Sequence, residues 1–180
     1  MQEQPHPDMR TRASLPALPA LNQRQRDPDR REGRQCGTCV LCCKLLHVVE
    51  LDKPPGEWCP WLHKKRTRGC SKYTKRPEAC REFACLWLKG FFDYKLDRPD
   101  MCGVVWSVNE PPPGKVQMML AYEIHDGATD RGRGYDVTMS LLRQDVPVMA
   151  MWPGRQRLWL PPSMDEDAVG IDLKGTEVKS

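Results

Sequence analysis

The sequence lacks a long hydrophobic run. The longest stretch without charged or strongly polar residues is about Val146 to Gly154, whereas a membrane-spanning helix needs about 20 apolar residues. The segment from Met1 to Asn22 also lacks the basic start and apolar core of a secretory signal. We therefore expect a soluble, cytoplasmic protein without a membrane partner.

Familiar catalytic motifs are also missing. The chain has no serine-nucleophile elbow, no phosphate-binding loop and no HExxH pattern. Among its four histidines, His6 falls in a polar N-terminal segment and His125 near the end of a predicted strand. His47 and His63 each follow a cysteine by four residues and could be ligands, although a structural role is the simpler interpretation. Whether the protein is an enzyme stays open.

Cysteine, by contrast, is abundant. Eight of the nine cysteines lie between Cys36 and Cys85, beginning with the run CGTCVLCC over residues 36–43. A disulfide framework fits poorly, because nine is an odd number and a bridge between the neighbours Cys42 and Cys43 would be strained. Thiol redox chemistry without a metal is a further alternative. Metal binding explains this density best, since thiolates at two-residue spacing can converge on one centre.

The spacing of the cysteines bears on the identity of the metal. A zinc ribbon has two CxxC pairs, but here only the first half has that spacing. The CxxCxxC run is similar to part of a bacterial ferredoxin motif. We therefore favour an iron–sulfur cluster of the 4Fe–4S type, with Zn²⁺ as the alternative. Cys102 is interpreted as an ordinary buried thiol. The predicted metal ligands are Cys36, Cys39, Cys42, Cys43, Cys59, Cys70, Cys80 and Cys85.

Positive charge is concentrated around these cysteines. Residues 33–99 carry 14 basic and 7 acidic side chains, a formal charge of +7. Much of this excess can offset the negative charge of metal-bound thiolates. The basic run from His63 to Arg68 is interpreted as a solvated loop, so we expect no nucleic-acid partner. The sequence does not identify a redox or protein partner.

Several motifs together carry a family resemblance. They are Cys36-x2-Cys39-x2-Cys42-Cys43, then Cys59-Pro60, then Cys70-x2-Tyr73-x2-Arg76-Pro77-x2-Cys80-Arg81-x-Phe83. This pattern resembles the bacterial CxxCxxCC, or YkgJ-type, family of zinc- or iron-chelating cysteine-cluster proteins, over about Cys36 to Leu88. The resemblance implies a metal site without an assigned reaction. A similar cluster occurs in flagellin lysine N-methylases, but this chain is much shorter and their activity is not carried over.

These observations leave three functional hypotheses. The first is a bacterial module that binds iron–sulfur clusters or zinc through eight thiolates, in a structural or electron-carrying role. The second is an iron–sulfur-dependent enzyme of methyl or electron transfer. The third is a protein that stores or delivers zinc or iron.

The sequence predicts an α+β fold. We expect a disordered tail over residues 1–32, a helical and looped metal-binding domain over 33–99, a short antiparallel β-rich segment with one helix over 100–161, and a disordered tail over 162–180. Strands are predicted over 103–108 and 115–124, and a hairpin around Pro153-Gly154 with Pro147 marking an edge strand. Residues 135–144 are ambiguous between helix and strand, and we favour a short helix.

Two helices are predicted among the cysteines. Thr38 can cap a helix that places Cys39, Cys42, Cys43 and Leu46 on one face. Pro77 suits the first turn of a second helix that continues to Gly90. On an unbroken helix, Cys80 and Cys85 would lie about 140° apart. Either that helix is irregular or these two cysteines serve different centres. We expect Trp58, Trp61, Phe83 and Trp87 to pack around the site and keep it dry.

Overall fold

The computed structural model describes residues 34, 36–63, 65, 69–92, 95–170 and 174–179. The predicted N-terminal tail therefore lies outside the described residues. Within these ranges the chain combines four short α-helices with one five-stranded sheet, which confirms the α+β class. The helices are α1 (Cys42–Leu45), α2 (Glu78–Glu82), α3 (Pro99–Cys102) and α4 (Gly132–Leu142). The strands are β1 (Val104–Val108), β2 (Met119–Glu123), β3 (Val148–Trp152), β4 (Arg155–Trp159) and β5 (Thr176–Lys179). No described helix has the length and apolar character needed to cross a bilayer.

The sheet is mixed, and its spatial order follows the chain. β1 pairs with β2 and β3 with β4 in antiparallel fashion, whereas β2–β3 and β4–β5 are parallel pairs. The predicted hairpin around Pro153-Gly154 is confirmed. The assignment of Pro147 to an edge strand is wrong, because β3 lies in the middle of the sheet. Pro147 precedes that strand and contributes only its carbonyl, which accepts from the Met119 N–H at 2.9 Å.

Both faces of the sheet are covered. Trp106, Met119 and the α4 residue Leu141 belong to the main core on one face. On the other face, Leu45 of α1 packs against Val105 of β1. The predicted strand over 115–124 is shorter than expected. Met119, Ala121 and Glu123 are fully buried, and of the predicted set Val116, Met118, Leu120, Tyr122 and Ile124 only Met118 is buried while the others are half-buried. Burial on both faces hides the alternation that a one-sided strand would show.

The predicted strand over 103–108 and the predicted helix over 135–144 are confirmed as β1 and α4. α4 buries Val137 and Leu141, which lie four residues apart on the same helix face. At Gly134 a side chain would have no room, because a Cβ atom would lie 2.1 Å from the Ala128 carbonyl oxygen. This close approach holds α4 against the loop that precedes it.

The two helices among the cysteines are shorter than predicted. α1 begins only at Cys42, with Leu41 rather than Thr38 at its N-cap. α2 ends at Glu82 instead of continuing to Gly90. The reason is tertiary: beyond α2 the chain runs along the edge of the sheet, where the Leu86 N–H donates to the Trp106 carbonyl at 2.9 Å.

The predicted C-terminal tail needs correction. Residues 166–168 form a 3-10 helix, capped by the Asp165 carboxylate, which accepts from the Ala168 N–H at 3.1 Å. Farther along, β5 adds to the sheet as a parallel neighbour of β4. The described part of 162–180 is therefore built into the fold. The polar sequence of this segment led to the prediction of disorder, but an edge strand can be polar and still gain its backbone hydrogen bonds from the sheet.

A buried ionic network closes one end of the sheet. Arg157 is 2% exposed, and its Nη2 lies 2.6 Å from Glu123 Oε2 and 3.0 Å from Asp126 Oδ1. Its Nη1 contacts Asp130. The second oxygen of Glu123 accepts from both the backbone N–H and the hydroxyl of Thr129, each at 2.8 Å. Removing one partner from a buried network of this kind destabilises the fold, because the remaining charge is left buried without compensation.

Candidate metal centre

Seven of the eight predicted ligands line one cavity of about 420 Å³, which we name the cysteine cavity. Its wall is formed by the segment around α1, by residues 59, 61, 69 and 70, and by α2. Cys85 is the exception among the predicted ligands. All nine cysteines are free thiols. The cysteines that line the cavity are Cys36, Cys39, Cys42, Cys43, Cys59, Cys70 and Cys80.

Backbone hydrogen bonds bring these distant segments together. The Cys39 N–H donates to the Cys36 carbonyl at 2.8 Å, across a turn in which Gly37 has a φ of 54°. The Cys59 N–H donates to the Cys43 carbonyl at 2.9 Å and so ties the second segment to α1. Cys70 is placed by an antiparallel bridge with Leu62. The cavity thus results from tertiary pairing of loops rather than from one long helix.

The thiols surround the cavity rather than meeting at one point. Within the described ranges, no group of three or more His, Cys, Asp or Glu side chains is close enough to hold a single metal ion. The soft thiol groups are nevertheless the donors that zinc and iron–sulfur clusters use.

Electrostatic neighbours divide the eight cysteines into two sets. The first set is Cys36, Cys39, Cys42 and Cys85. Burial raises the pKa of Cys39, and the nearby charges of Asp100 and Cys36 add to this rise. Burial also raises the pKa of Cys85 to about 12, with Cys36 and Cys39 as its charged neighbours. Cys85 therefore lies near the first set although it does not line the cavity.

The second set is Cys43, Cys59, Cys70 and Cys80. Burial raises the pKa of Cys59, and the charges of Cys43 and Cys70 raise it further. Burial is also the main cause of the raised pKa of Cys80, whose thiol neighbours are Cys43, Cys59 and Cys70. The thiol neighbours of Cys59 and Cys80 thus belong to the same set, whereas the thiol partner of Cys43 is Cys42 of the first set.

The two sets meet at the adjacent residues Cys42 and Cys43. A hydrogen bond between their side chains raises the pKa of Cys42 well above its usual value, and burial adds to this rise. The same hydrogen bond lowers the pKa of Cys43 to about 7, helped by Lys53 and Arg76 and opposed by burial. Cys42 is accordingly the donor in this bond, and Cys43 is the thiol that ionises near neutral pH.

Sequence reasoning missed the two cations beside Cys43. Lys53 is only 3% exposed, and its Nζ donates to the carbonyls of Lys44, Leu46 and Pro54 at 3.0, 2.5 and 2.9 Å. Arg76 lines the cysteine cavity itself. The excess of basic residues was a signal for charge compensation, but it did not indicate which of the cations lie near the thiols.

Of the four aromatic residues predicted to pack around the site, two line the cysteine cavity and two lie elsewhere. Trp61 and Phe83 line the cysteine cavity, whereas Trp87 packs against the main core. Trp58 lies instead beside Lys44, whose Nζ is 5.8 Å from its ring centroid. His47 also lines the cavity.

His63 and His125 lie outside the cysteine cavity. His63 Nδ1 accepts from the Lys65 N–H at 3.4 Å, and His125 Nδ1 lies 3.4 Å from the Asp126 carbonyl. His6 is outside the described residues. Only His63 and Lys65 of the basic run 63–68 are described. Neither His63 nor His125 is among the described residues that line the cysteine cavity.

Cys102 is separate from both sets. It is buried at the end of α3, and its thiol donates to the carbonyls of Asp97 and Val104 at 3.5 and 3.3 Å. Burial raises its pKa to about 11. This environment matches the predicted ordinary buried thiol, since the neutral form is strongly favoured.

A second, open cleft adjoins the cysteine cavity. Its volume is about 850 Å³, and it lies between the α1 region and the sheet. The two spaces share Leu46, His47, Ala79 and Phe83 as a common wall. Its other lining residues include Tyr122, Trp152 and Arg155. A molecule in this cleft would be separated from the cysteine cavity by one layer of side chains.

Comparisons with known proteins give no match. No family model matches the chain, and no curated protein or solved structure does so either. The resemblance to the CxxCxxCC family therefore rests on the spaced cysteine motifs alone.

Proposed function

We propose that this chain is a cytoplasmic iron–sulfur protein in which each cysteine set ligates one cluster in an electron-carrying role. The observation that carries the proposal is the grouping of the thiols. Seven of them line one cavity, and their electrostatic neighbours divide all eight into two sets of four. Four cysteine thiolates are the usual ligand complement of a 4Fe–4S cluster.

The residues fit such a group on three counts. The donors are thiols, which suit iron–sulfur clusters and zinc better than harder metals. The cavity volume of about 420 Å³ is larger than a single zinc ion needs, because zinc holds its thiolates at about 2.3 Å. In addition, Arg76 Nε is buried and has no hydrogen-bond partner in the described part of the chain, so the wall holds a donor that a sulfur-containing group could use.

Each cluster would supply the capacity to take up and release one electron. The protein's own residues would bind each cluster, shield it from water and balance its negative charge. The thiolates bind, while Trp61 and Phe83 restrict access of water from the cavity wall. Lys53 and Arg76 offset the negative charge of the second set. The reducing cytoplasm keeps such thiols available for ligation.

Quantitative iron and sulfide analysis tests this proposal. Protein purified without oxygen should contain about eight iron atoms and about eight sulfides per chain, as two 4Fe–4S clusters require. About four of each would mean that only one set is loaded and would contradict the two-cluster form. Stoichiometric zinc without sulfide would contradict the electron-carrying role.

One observation favours a second candidate, an iron–sulfur-dependent enzyme. The open cleft beside the cysteine cavity could admit a substrate, with Phe83 and His47 in the intervening wall. F83W would narrow both spaces. If the protein turns over a substrate in the cleft, F83W should slow turnover while iron content stays constant. An electron carrier without a substrate site should exchange electrons with a small redox dye at an unchanged rate.

A further inference from the structure

Arg76 occupies a distinctive position at the wall of the cysteine cavity. It follows a 3-10 helix over Tyr73–Lys75 and precedes Pro77, the N-cap residue of α2. Its guanidinium carbon lies 3.8 Å from the centroid of the Tyr73 ring. This stacking restrains the plane of the guanidinium while its edge stays available for hydrogen bonds.

The Nε–H of Arg76 is the unusual feature. Nε is buried and lacks a hydrogen-bond acceptor among the residues that the structure describes. Buried donors are almost always paired in native proteins, so an unpaired one indicates a missing acceptor. Because Arg76 lines the cysteine cavity, a group bound there could supply that acceptor.

Lys53 is the other cation near the second set, and it differs from Arg76 in its hydrogen bonds. Arg76 precedes α2, which carries Cys80, and Lys53 donates to the carbonyl of Lys44, the residue after Cys43. An ammonium group has three donors, and the Nζ of Lys53 already donates to three carbonyls. Lys53 can therefore act only through its charge, whereas Arg76 has a donor to spare.

We propose that Arg76 is a positioning residue that donates its Nε–H to a sulfur of the cluster held by the second set and thereby raises the reduction potential of that cluster. This inference rests on the proposed function. Reduction adds one electron and forms or breaks no covalent bond, so the reduced site carries one more negative charge. A nearby cation and a hydrogen bond to sulfur both stabilise that state.

A redox titration of four proteins tests the inference. Wild type, R76Q, R76K and the control R81Q are purified without oxygen, and their midpoint potentials are measured by absorbance with dithionite as reductant. Arg81 lies on α2 but is exposed and outside the cavity lining, so R81Q makes the same charge change away from the site.

We expect R76Q to favour the oxidised state by at least about tenfold, which corresponds to about 59 mV for a one-electron couple. R76K keeps the charge but loses the stacked Nε–H, so its shift should have the same sign and be smaller. R81Q should match wild type. Iron and sulfide are measured in each protein, so a change in potential is separated from a loss of cluster.

Three different results would contradict the inference. If R76Q has the potential of R81Q, Arg76 does not tune the cluster. If R76K has the wild-type potential, the stacked Nε–H is not required and the proposed bond is refuted, even where R76Q fails to assemble. A wild-type protein that holds only zinc would refute the proposed function before any variant is made, and this inference with it.

Discussion

Cys80 and Cys85 lie five residues apart, but α2 ends between them, at Glu82. Cys80 sits within α2 and lines the cysteine cavity, whereas Cys85 lies beyond the helix and does not. Their thiol neighbours differ accordingly, with Cys43 and Cys59 acting on Cys80, and Cys36 and Cys39 acting on Cys85. The end of one short helix therefore assigns two nearby cysteines to different sets.

This assignment predicts a specific pattern in double variants. C80S should lose the centre of the second set and keep about half of the wild-type iron, and C59S/C80S should lose no more, because both residues serve that centre. C80S/C85S should lose nearly all the iron, since it damages both centres. Metal analysis of purified protein is the measurement. Equal losses in the two double variants would refute the grouping.

A second prediction concerns the link between metal and folding. C39S or C42S should lose the metal of the first set and lower the soluble yield together, because binding energy at a thiolate site is also folding energy. C102S should retain both, since the Cys102 thiol donates only to two backbone carbonyls. Metal content and soluble yield are compared across the three variants. Loss of metal in C102S but not in C39S would show that the ligand set is wrong.

A third prediction concerns pH. In metal-free protein, Cys43 should react with iodoacetamide with a half-maximal rate near pH 7, because its pKa is lowered to about 7. The rate should rise with pH, since the thiolate is the nucleophile. Cys85 should react far more slowly, because burial raises its pKa to about 12. Peptide mapping by mass spectrometry, from about pH 6 to about pH 9, follows each thiol.

The control for this experiment is C42A. It removes the hydrogen bond that is the main cause of the lowered pKa of Cys43, so the reactivity of Cys43 should need a higher pH. Identical rates for Cys43 and Cys85 at neutral pH would contradict the assigned environments.

A fourth prediction concerns the ionic network of the sheet. R157M should reduce the free energy of unfolding by about 3–5 kcal/mol, because it leaves the carboxylate of Glu123 buried without its cation. R155M is the matched control, since Arg155 lies on the same strand and pairs with the exposed Asp126 and Glu177. Urea unfolding compares the two variants. Equal destabilisation would mean that burial of Arg157 is not what matters.

Part of this fold could be predicted from local sequence. β1 and the β3–β4 hairpin follow from short apolar runs and a Pro-Gly turn, whereas the pattern over the α4 segment favoured a helix but was also compatible with a strand. The length of α2 could not be predicted, because the pairing of Leu86 with Trp106 beside the sheet takes the chain out of the helix. β5 was missed for the same kind of reason, since its polar residues gain their structure from β4.

The candidate site shows a similar division. The cysteines were evident from density and spacing, and seven of them line one cavity. Their division into two sets was not evident, because Cys42 and Cys43 are neighbours in sequence and belong to different sets. Lys53 and Arg76 could not be selected from 14 basic residues over 33–99. Their proximity to Cys43 comes from tertiary packing, which spacing along the chain does not encode.

An absorption spectrum of protein purified without oxygen, combined with metal and sulfide analysis, tests the central claim most directly. We predict a broad band near 400 nm (about where thiolate-to-iron charge transfer absorbs) that bleaches on addition of dithionite, together with iron and sulfide in equal amounts. A colourless protein with stoichiometric, tightly held zinc would contradict the account and leave a structural role for the cysteine sets. Zinc that exchanges rapidly with a chelator would contradict it equally and would indicate a metal-delivery protein.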